Sequence, residues 1–395
     1  MGLKISNLSD TKNLYNSIKR IEQGSSIDHV VNTYPKIKRN FLFLILQEYY
    51  RNYENHNKIL AKYINDKTPK NVLTLLKISL TLFNFSSKPD YAVVNDSVET
   101  SKVFKKEKLV NAVLRNILRN RNEIKYEKHI YPRFKNILDK IFSSTSIREY
   151  IYDTLFTKPQ NYQISLNDKK NAIYDKRVMT LEKKIIKRCF VQDIGNFEVI
   201  KAIHNIYNDK NLIDVCAAPG GKSILLQSLG FNVFAVDKSQ KQINKFEENI
   251  SRLNIKLNIQ KMDFLKKKFT DKYNSILLDA PCSALGTFRR NPDVTVKIDQ
   301  SQIKKHQKIQ LELLEKSLKL LNKKGFLVYI VCSFHPFETI DVIDKIIQKH
   351  NNIELHDIKS DKMVKRKNGY FINPLKFKNF GGSDIFFVSV LEKKR

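Results

Sequence analysis

A chain of 395 residues, 42% of them hydrophobic, has room for two or three domains with buried cores, which sets aside disorder along its bulk. Its 71 Lys and Arg against 40 Asp and Glu leave a formal charge of +31 and point to a polyanionic partner, nucleic acid first. No uncharged apolar run reaches about 18 residues, so neither a membrane span nor an N-terminal secretory stretch is read.

In chain order, residues 1–125 read as an all-α domain. Leu73, Leu76, Leu80 and Phe83 fall on one helical face, as do Leu109, Val113, Leu114, Ile117 and Leu118. Asp10-Thr11 is a candidate first cap, and Pro69 suits a helix start. Residues 126–195 read as a basic connecting region or small RNA-facing subdomain, where short apolar runs such as Ile185-Ile186 break quickly. Residues 196–395 alternate strand and helix. Strands are read at 212–215, 232–236, 274–278 and 325–331, with a helical pattern through Ile309, Leu313, Leu314, Leu318 and Leu321. That alternation predicts an α/β Rossmann-like domain with a parallel sheet and ligands at the strands' carboxyl ends.

The polar residues fall at those ends. Asp214 opens Cys216-Ala217-Ala218-Pro219-Gly220-Gly221-Lys222, a small-residue turn between a strand and a helix. Such a turn admits close approach of a ligand to the backbone. Gly221-Lys222-Ser223 mimics a phosphate loop, but Cys216 stands where that motif needs glycine. Asp237, at the end of the next strand, is placed to hold ribose hydroxyls of an adenosine cofactor, and Asp263 to accept from its adenine amine.

Of four cysteines, none form a C-x-x-C pair, which argues against zinc or a disulfide framework, and a reducing cytoplasm is expected. Two of them, Cys282 after Asp279-Ala280-Pro281 and Cys332 after Val331, end neighbouring strands and face one crevice. Either alone reads as a buried structural thiol. Together they suit methylation at C5 of a pyrimidine, because C5 becomes nucleophilic only after a thiolate adds to C6. Lys222, Arg289 or Arg290 could favour that thiolate, and Asp279, if burial raised its pKa, could donate to N3.

These segments resemble the RsmB (Sun/Fmu) family of bacterial 16S rRNA cytosine-C5 methyltransferases. The match rests on Cys216–Lys222, on Asp279–Thr287 with Arg289-Arg290-Asn291-Pro292-Asp293, on Cys332-Ser333 with Pro336 and Glu338, and on a closing strand near Gly382–Phe387. Ala92–Glu99 and Leu109–Arg115 resemble the NusB-like RNA-binding domain of that subfamily. The resemblance implies S-adenosyl-L-methionine as cofactor, held by Cys216, Ala217, Ala218, Pro219, Gly220, Gly221, Lys222, Asp237, Asp263 and Asp279. It further implies Cys332 as nucleophile, Cys282 in product release, and 16S rRNA or a small-subunit assembly intermediate as partner of a monomer. Val331, Phe337 and Ile194 depart from the family pattern. A tRNA-directed relative and a non-catalytic NusB-like assembly or transcription factor are the competing readings.

Overall fold

The computed structural model describes residues 9–127, 132–155, 157, 159–166, 172–178 and 189–394, so Ile185-Ile186 lie outside the described residues. The chain divides into two units, Met1–Pro132 with Asn291–Lys297, and Arg133–Arg290 with Ile298–Arg395.

The first unit is built from α1 (Asp10–Glu22), α2 (Ile27–Val31), α3 (Lys36–Arg51), α4 (Tyr53–Leu60), α5 (Lys70–Phe85), α6 (Asp90–Ser101) and α7 (Glu107–Arg119). Ser9 rather than Asp10 caps α1, its hydroxyl accepting from Lys12 N at 3.3 Å, because Asp10 already lies in the first turn. Pro69 directly precedes α5. The predicted stripes meet as the core: Leu76, Leu80 and Phe83 pack in one cluster with Val113, Leu114 and Ile117. Leu109, expected on that face, sits in the opening turns of α7 and is 37% exposed. In α4, His56 is fully buried against Tyr49 and Tyr126, with no hydrogen bond to either ring nitrogen among the described residues. Burial and then the Lys77 charge push its pKa down to about 3.

The second unit opens with α8 (Pro132–Ile141) and α9 (Thr145–Leu155). A three-stranded antiparallel sheet follows, of β1 (Asn161–Leu166), β2 (Ala172–Val178) and β3 (Cys189–Val191), in the order β2-β1-β3. Part of the region read as a connector is therefore regular structure. The alternating stretch begins with α10 (Ile194–Ile203), β4 (Asn211–Val215), α11 (Gly221–Ser228), β5 (Asn232–Asp237), α12 (Gln240–Leu253), β6 (Asn258–Lys261) and β7 (Tyr273–Asp279). After α13 (Val294–Lys297), which groups with the helical unit, come α14 (Gln300–Leu320), β8 (Leu321–Val331), α15 (Ile340–Lys349), β9 (Ile353–His356), β10 (Met363–Arg366), β11 (Gly369–Ile372) and β12 (Phe387–Lys393).

Strands β4 to β12 form one sheet in the order β10-β11-β12-β8-β7-β4-β5-β6, with β9 on β12. β4 to β8 are parallel, and their centres are continuous apolar runs: Ile276 to Leu278 and Leu327 to Val331 are all buried. Strands covered on both faces read this way. The sheet is mixed rather than purely parallel, because β12 joins β8 antiparallel and carries β11 and β10 beyond it. The expected closing strand starts only at Phe387. Gly382–Phe386 is an irregular loop, pinned where Asp384 meets Arg289 and Arg290.

Candidate active site

Successive parallel strands deliver their last residues to one edge of the sheet. Chain order runs β4, β5, β6 outward and then returns to β7 and β8 on the other side of β4, so the crevice opens where strand order reverses. There a cleft of about 480 Å3 is lined by Cys216, Ala218, Asp237, Asp263, Asp279, Cys282 and Cys332. A neighbouring cavity of about 380 Å3 is lined by Ala217, Pro219, Gly221, Lys222 and again Asp279.

The loop after β4 owes its shape to two left-handed residues, Cys216 at φ 63° and Gly220 at φ 102°. A Cβ on Gly220 would lie 2.7 Å from the Phe246 ring, so only glycine fits. Gly220 touches neither cavity; it turns the backbone into α11. Ala217 N donates to Val236 O at 3.1 Å and Ala218 N to Asp237 Oδ2 at 3.2 Å, which ties the loop to β5. Beneath it, the Ser223 hydroxyl donates to the fully buried Asp214, whose carboxyl burial pushes up to about 7. Burial first, then the Asp237, Asp279 and Asp214 carboxylates, push the Cys216 thiol up to about 12.

Asp237 keeps its carboxylate at the cleft by accepting from Ser239 N at 2.8 Å, and Asp263 by accepting from Leu265 N at 3.1 Å. Val236, Met262, Phe264, Ile309 and Leu313 supply apolar walls between them. Two acceptors on an apolar slot fit the ribose hydroxyls, exocyclic amine and flat ring of an adenosine-containing cofactor.

Lys222 donates to Asp279 Oδ2 at 2.8 Å, so Asp279 stands here as the acceptor of an ion pair. Burial alone would lower the Lys222 pKa, but Asp279, the Cys332 sulfur and Asp214 outweigh it and hold the ammonium charged. Cys282 and Cys332 lie with their sulfurs 3.4 Å apart. The contact with Cys332, followed by burial, pushes the Cys282 thiol far up, so Cys282 keeps its proton. Arg289 and Arg290, expected as candidates to favour the thiolate, instead bind Asp384 and Asp193, bracing the loop before β12 against the start of α10.

In the sequence Glu338 stands out only as part of a matching segment. Its fully buried carboxylate accepts from Ser283 N at 2.7 Å and from the Ser333 hydroxyl at 2.6 Å, and the Ser283 hydroxyl also donates to it. Ser283 and Ser333 each follow a cysteine, so one carboxylate holds both sulfur-bearing turns. The only signal was an acid six residues beyond Cys332. The departures are absorbed by packing: Val331 and Ile194 are buried apolar positions, with Asp193 capping α10 at Gly195 N, and Phe337 packs against His335. Among the described residues no cluster of three or more metal-ligating side chains occurs, and no helix is long and apolar enough to cross a membrane.

Comparison with known proteins matches residues 202–392 to the family 16S rRNA methyltransferase RsmB/F, and residues 10–119 to the NusB family. Ribosomal RNA small subunit methyltransferase B of Photorhabdus laumondii is 31% identical over 209 residues, 52% of this chain and 47% of that protein. The probable enzyme of that name from Coxiella burnetii is 24% identical over 75% of this chain and 79% of its own length. The match thus spans about half of the first relative and most of the second. The crystal structure of PH0851 superposes with a TM-score of 0.67 at 17% identity, covering 98% of this chain and 99% of that one, a likeness of fold.

Proposed function

We propose that this chain, which joins a NusB-family domain to an RsmB/F-family domain, methylates C5 of a cytosine in 16S rRNA in the cytoplasm, with S-adenosyl-L-methionine as donor. The observation that carries the reading is the pair of sulfurs 3.4 Å apart in the same cleft as Asp237 and Asp263.

Asp237 would hold the ribose hydroxyls and Asp263 the adenine amine, with the loop Cys216–Lys222 closing over the rest. Bound there, the cofactor supplies an electrophilic methyl group beside C5. Cys332, as the thiolate and with the Lys222 ammonium group close by, adds to C6 of the flipped-out base and pushes an electron pair toward C5. Asp279, fixed by Lys222, meets the N3 and amino edge of the ring. After methylation the C5 proton leaves, the C5–C6 double bond re-forms and the Cys332–C6 bond breaks. The Cys332 sulfur is what holds the Cys282 proton most firmly. Once that sulfur is bonded to carbon the hold weakens, Cys282 gives its own proton up to solvent, and the thiolate so formed takes the C5 proton.

Labelled S-adenosyl-L-methionine with transcribed 16S rRNA, and tRNA as the comparison, tests this. Label in rRNA mapped to a bisulfite-resistant cytosine is expected; transfer to tRNA alone, or to neither, rejects it. A Cys282→Ala variant should accumulate a covalent RNA adduct that Cys332→Ala does not form.

A further inference from the structure

Beside the cleft runs a second, wider concavity that the reaction does not use. It is an open groove of about 1120 Å3 between the 265–269 loop, α14 and α15, and Leu265 lines both it and the cofactor cleft. Eight lysines and two glutamates line it. Glu315 is already paired with Lys349 at 2.7 Å and hydrogen-bonded to His350 at 3.0 Å. Lys316 is spent structurally, donating to the carbonyls of Leu265 and Lys267 and so fixing the loop to α14.

Lys267, Lys268, Lys304, Lys308 and Lys319 make no ion pair among the described residues. Glu312, exposed on the same helix and likewise without an ion pair among the described residues, offsets only part of that charge, so the groove stays positive. Lys304, Lys308 and Lys319 recur on one face of α14, interleaved with Leu311 and Glu315, and span about 22 Å along its axis at roughly 1.5 Å per residue. Half-buried Phe269 adds an aromatic surface opposite. The other face of the same helix presents Ile309 and Leu313 to the cofactor cleft.

We propose that this groove holds a ribose-phosphate strand of the substrate RNA beside the catalytic cleft, the lysines contacting successive phosphates. The proposal rests on the RNA-methyltransferase reading and locates its substrate grip. A line of unpaired ammonium groups on a rigid helix suits a strand with a charge at every step, and the aromatic ring suits an unstacked base.

The test uses the full chain in two charge-reversal variants, Lys304→Glu with Lys308→Glu, and Lys267→Glu with Lys268→Glu. Lys376→Glu with Lys378→Glu, exposed and outside the groove, is the matched reference. Filter binding to transcribed 16S rRNA should weaken at least about 10-fold in each groove variant, and the salt slope should become shallower by roughly 1.5, as for two lost phosphate contacts. S-adenosyl-L-methionine affinity, and methyl transfer at saturating RNA, should stay within about two-fold of the unaltered protein. RNA affinity unchanged in the groove variants, or reduced equally in the reference, overturns the proposal. So does loss of polyglutamate binding with RNA binding intact, which reassigns the groove to an acidic protein. Groove-dependent RNA binding without methyl transfer by the unaltered protein sinks the catalytic reading and leaves the groove standing; normal transfer with normal binding by the variants does the reverse.

Discussion

The two units bury charge in opposite ways. In the helical unit the buried cations are dealt with close by: Arg51 pairs with Glu48 one turn away, and Lys77 lies 3.6 Å from the Tyr53 ring centre. In the mixed-sheet unit buried charges are met across long stretches of chain: Lys222 by Asp279 57 residues on, Glu338 by Ser283 55 residues back, Arg289 by Asp384 95 residues on. Unpaired buried charge is costly, so such contacts persist only where the fold enforces them. Here Glu338 fixes the turns that carry the sulfurs, Lys222 meets Asp279 at the end of β7, and Arg289 braces the loop before β12. One unit spends its interior on packing, the other partly on aiming side chains.

Several substitutions would sharpen or break that contrast. The largest effect is expected from Cys332→Ala, which should cut methyl transfer by roughly 10³-fold or more while S-adenosyl-L-methionine still binds in calorimetry. Retained activity would remove the nucleophile from this site. Next, Leu76→Ala in the helical core should cost about 2–5 kcal/mol in denaturant unfolding of that unit, with cofactor affinity unchanged. An equal loss of cofactor binding would mean that the units are not separate in energy.

Glu338→Gln replaces an acceptor facing two hydroxyls with a donor. It should cost about 1–3 kcal/mol, read as a roughly 5- to 150-fold lower kcat with the cofactor KM unchanged. Slower iodoacetamide labelling of Cys332, without loss of fold, would distinguish positioning from simple destabilisation.

The most gradual effect is a pH dependence of opposite sign in the two units. His56 binds its proton near 6.5 when unfolded but only near 3 when folded, so the unfolded chain gains protons first on acidification. The helical unit therefore loses stability as pH falls below 6.5, by about 2 kcal/mol at pH 5, and His56→Phe should flatten that slope. Asp214 is shifted the other way, from 3.8 to about 7, so its contribution to the mixed-sheet unit weakens as pH rises through that range. Asp214→Asn should remove that second slope; parallel pH profiles for both units would contradict the assignment.

What could be read beforehand follows from the same contrast. The helical core repeats at a fixed spacing, so Leu76, Leu80, Val113 and Leu114 announce themselves locally. The four central strands lay within a few residues of expectation, because a strand covered on both faces is a plain apolar run. The turns that carry Cys216, Cys282 and Cys332 were legible as motifs at the ends of those runs. Glu338, and the cluster of Asp193, Arg289, Arg290 and Asp384, were not, since a charge in a sequence ordinarily means solvent and nothing local tells which distant partner captures it. The short strands β9 to β11 were missed for a related reason: four residues carry too little alternation to stand out.

The place of β12 between β8 and β11 has a consequence for how the molecule is built. The half of the cleft that carries Asp237 and Asp263 comes from β4, β5 and β6, joined by short crossovers within about fifty residues. The sulfur half needs β8 to be flanked by β12, whose Phe387 pairs with Val331 after a closure of more than fifty residues. Loops that long close late. Pulse-labelled hydrogen exchange during refolding should therefore find the amides of β4 and β5 protected before those of β8, so the acidic half of the cleft would stand before the half that carries the paired sulfurs.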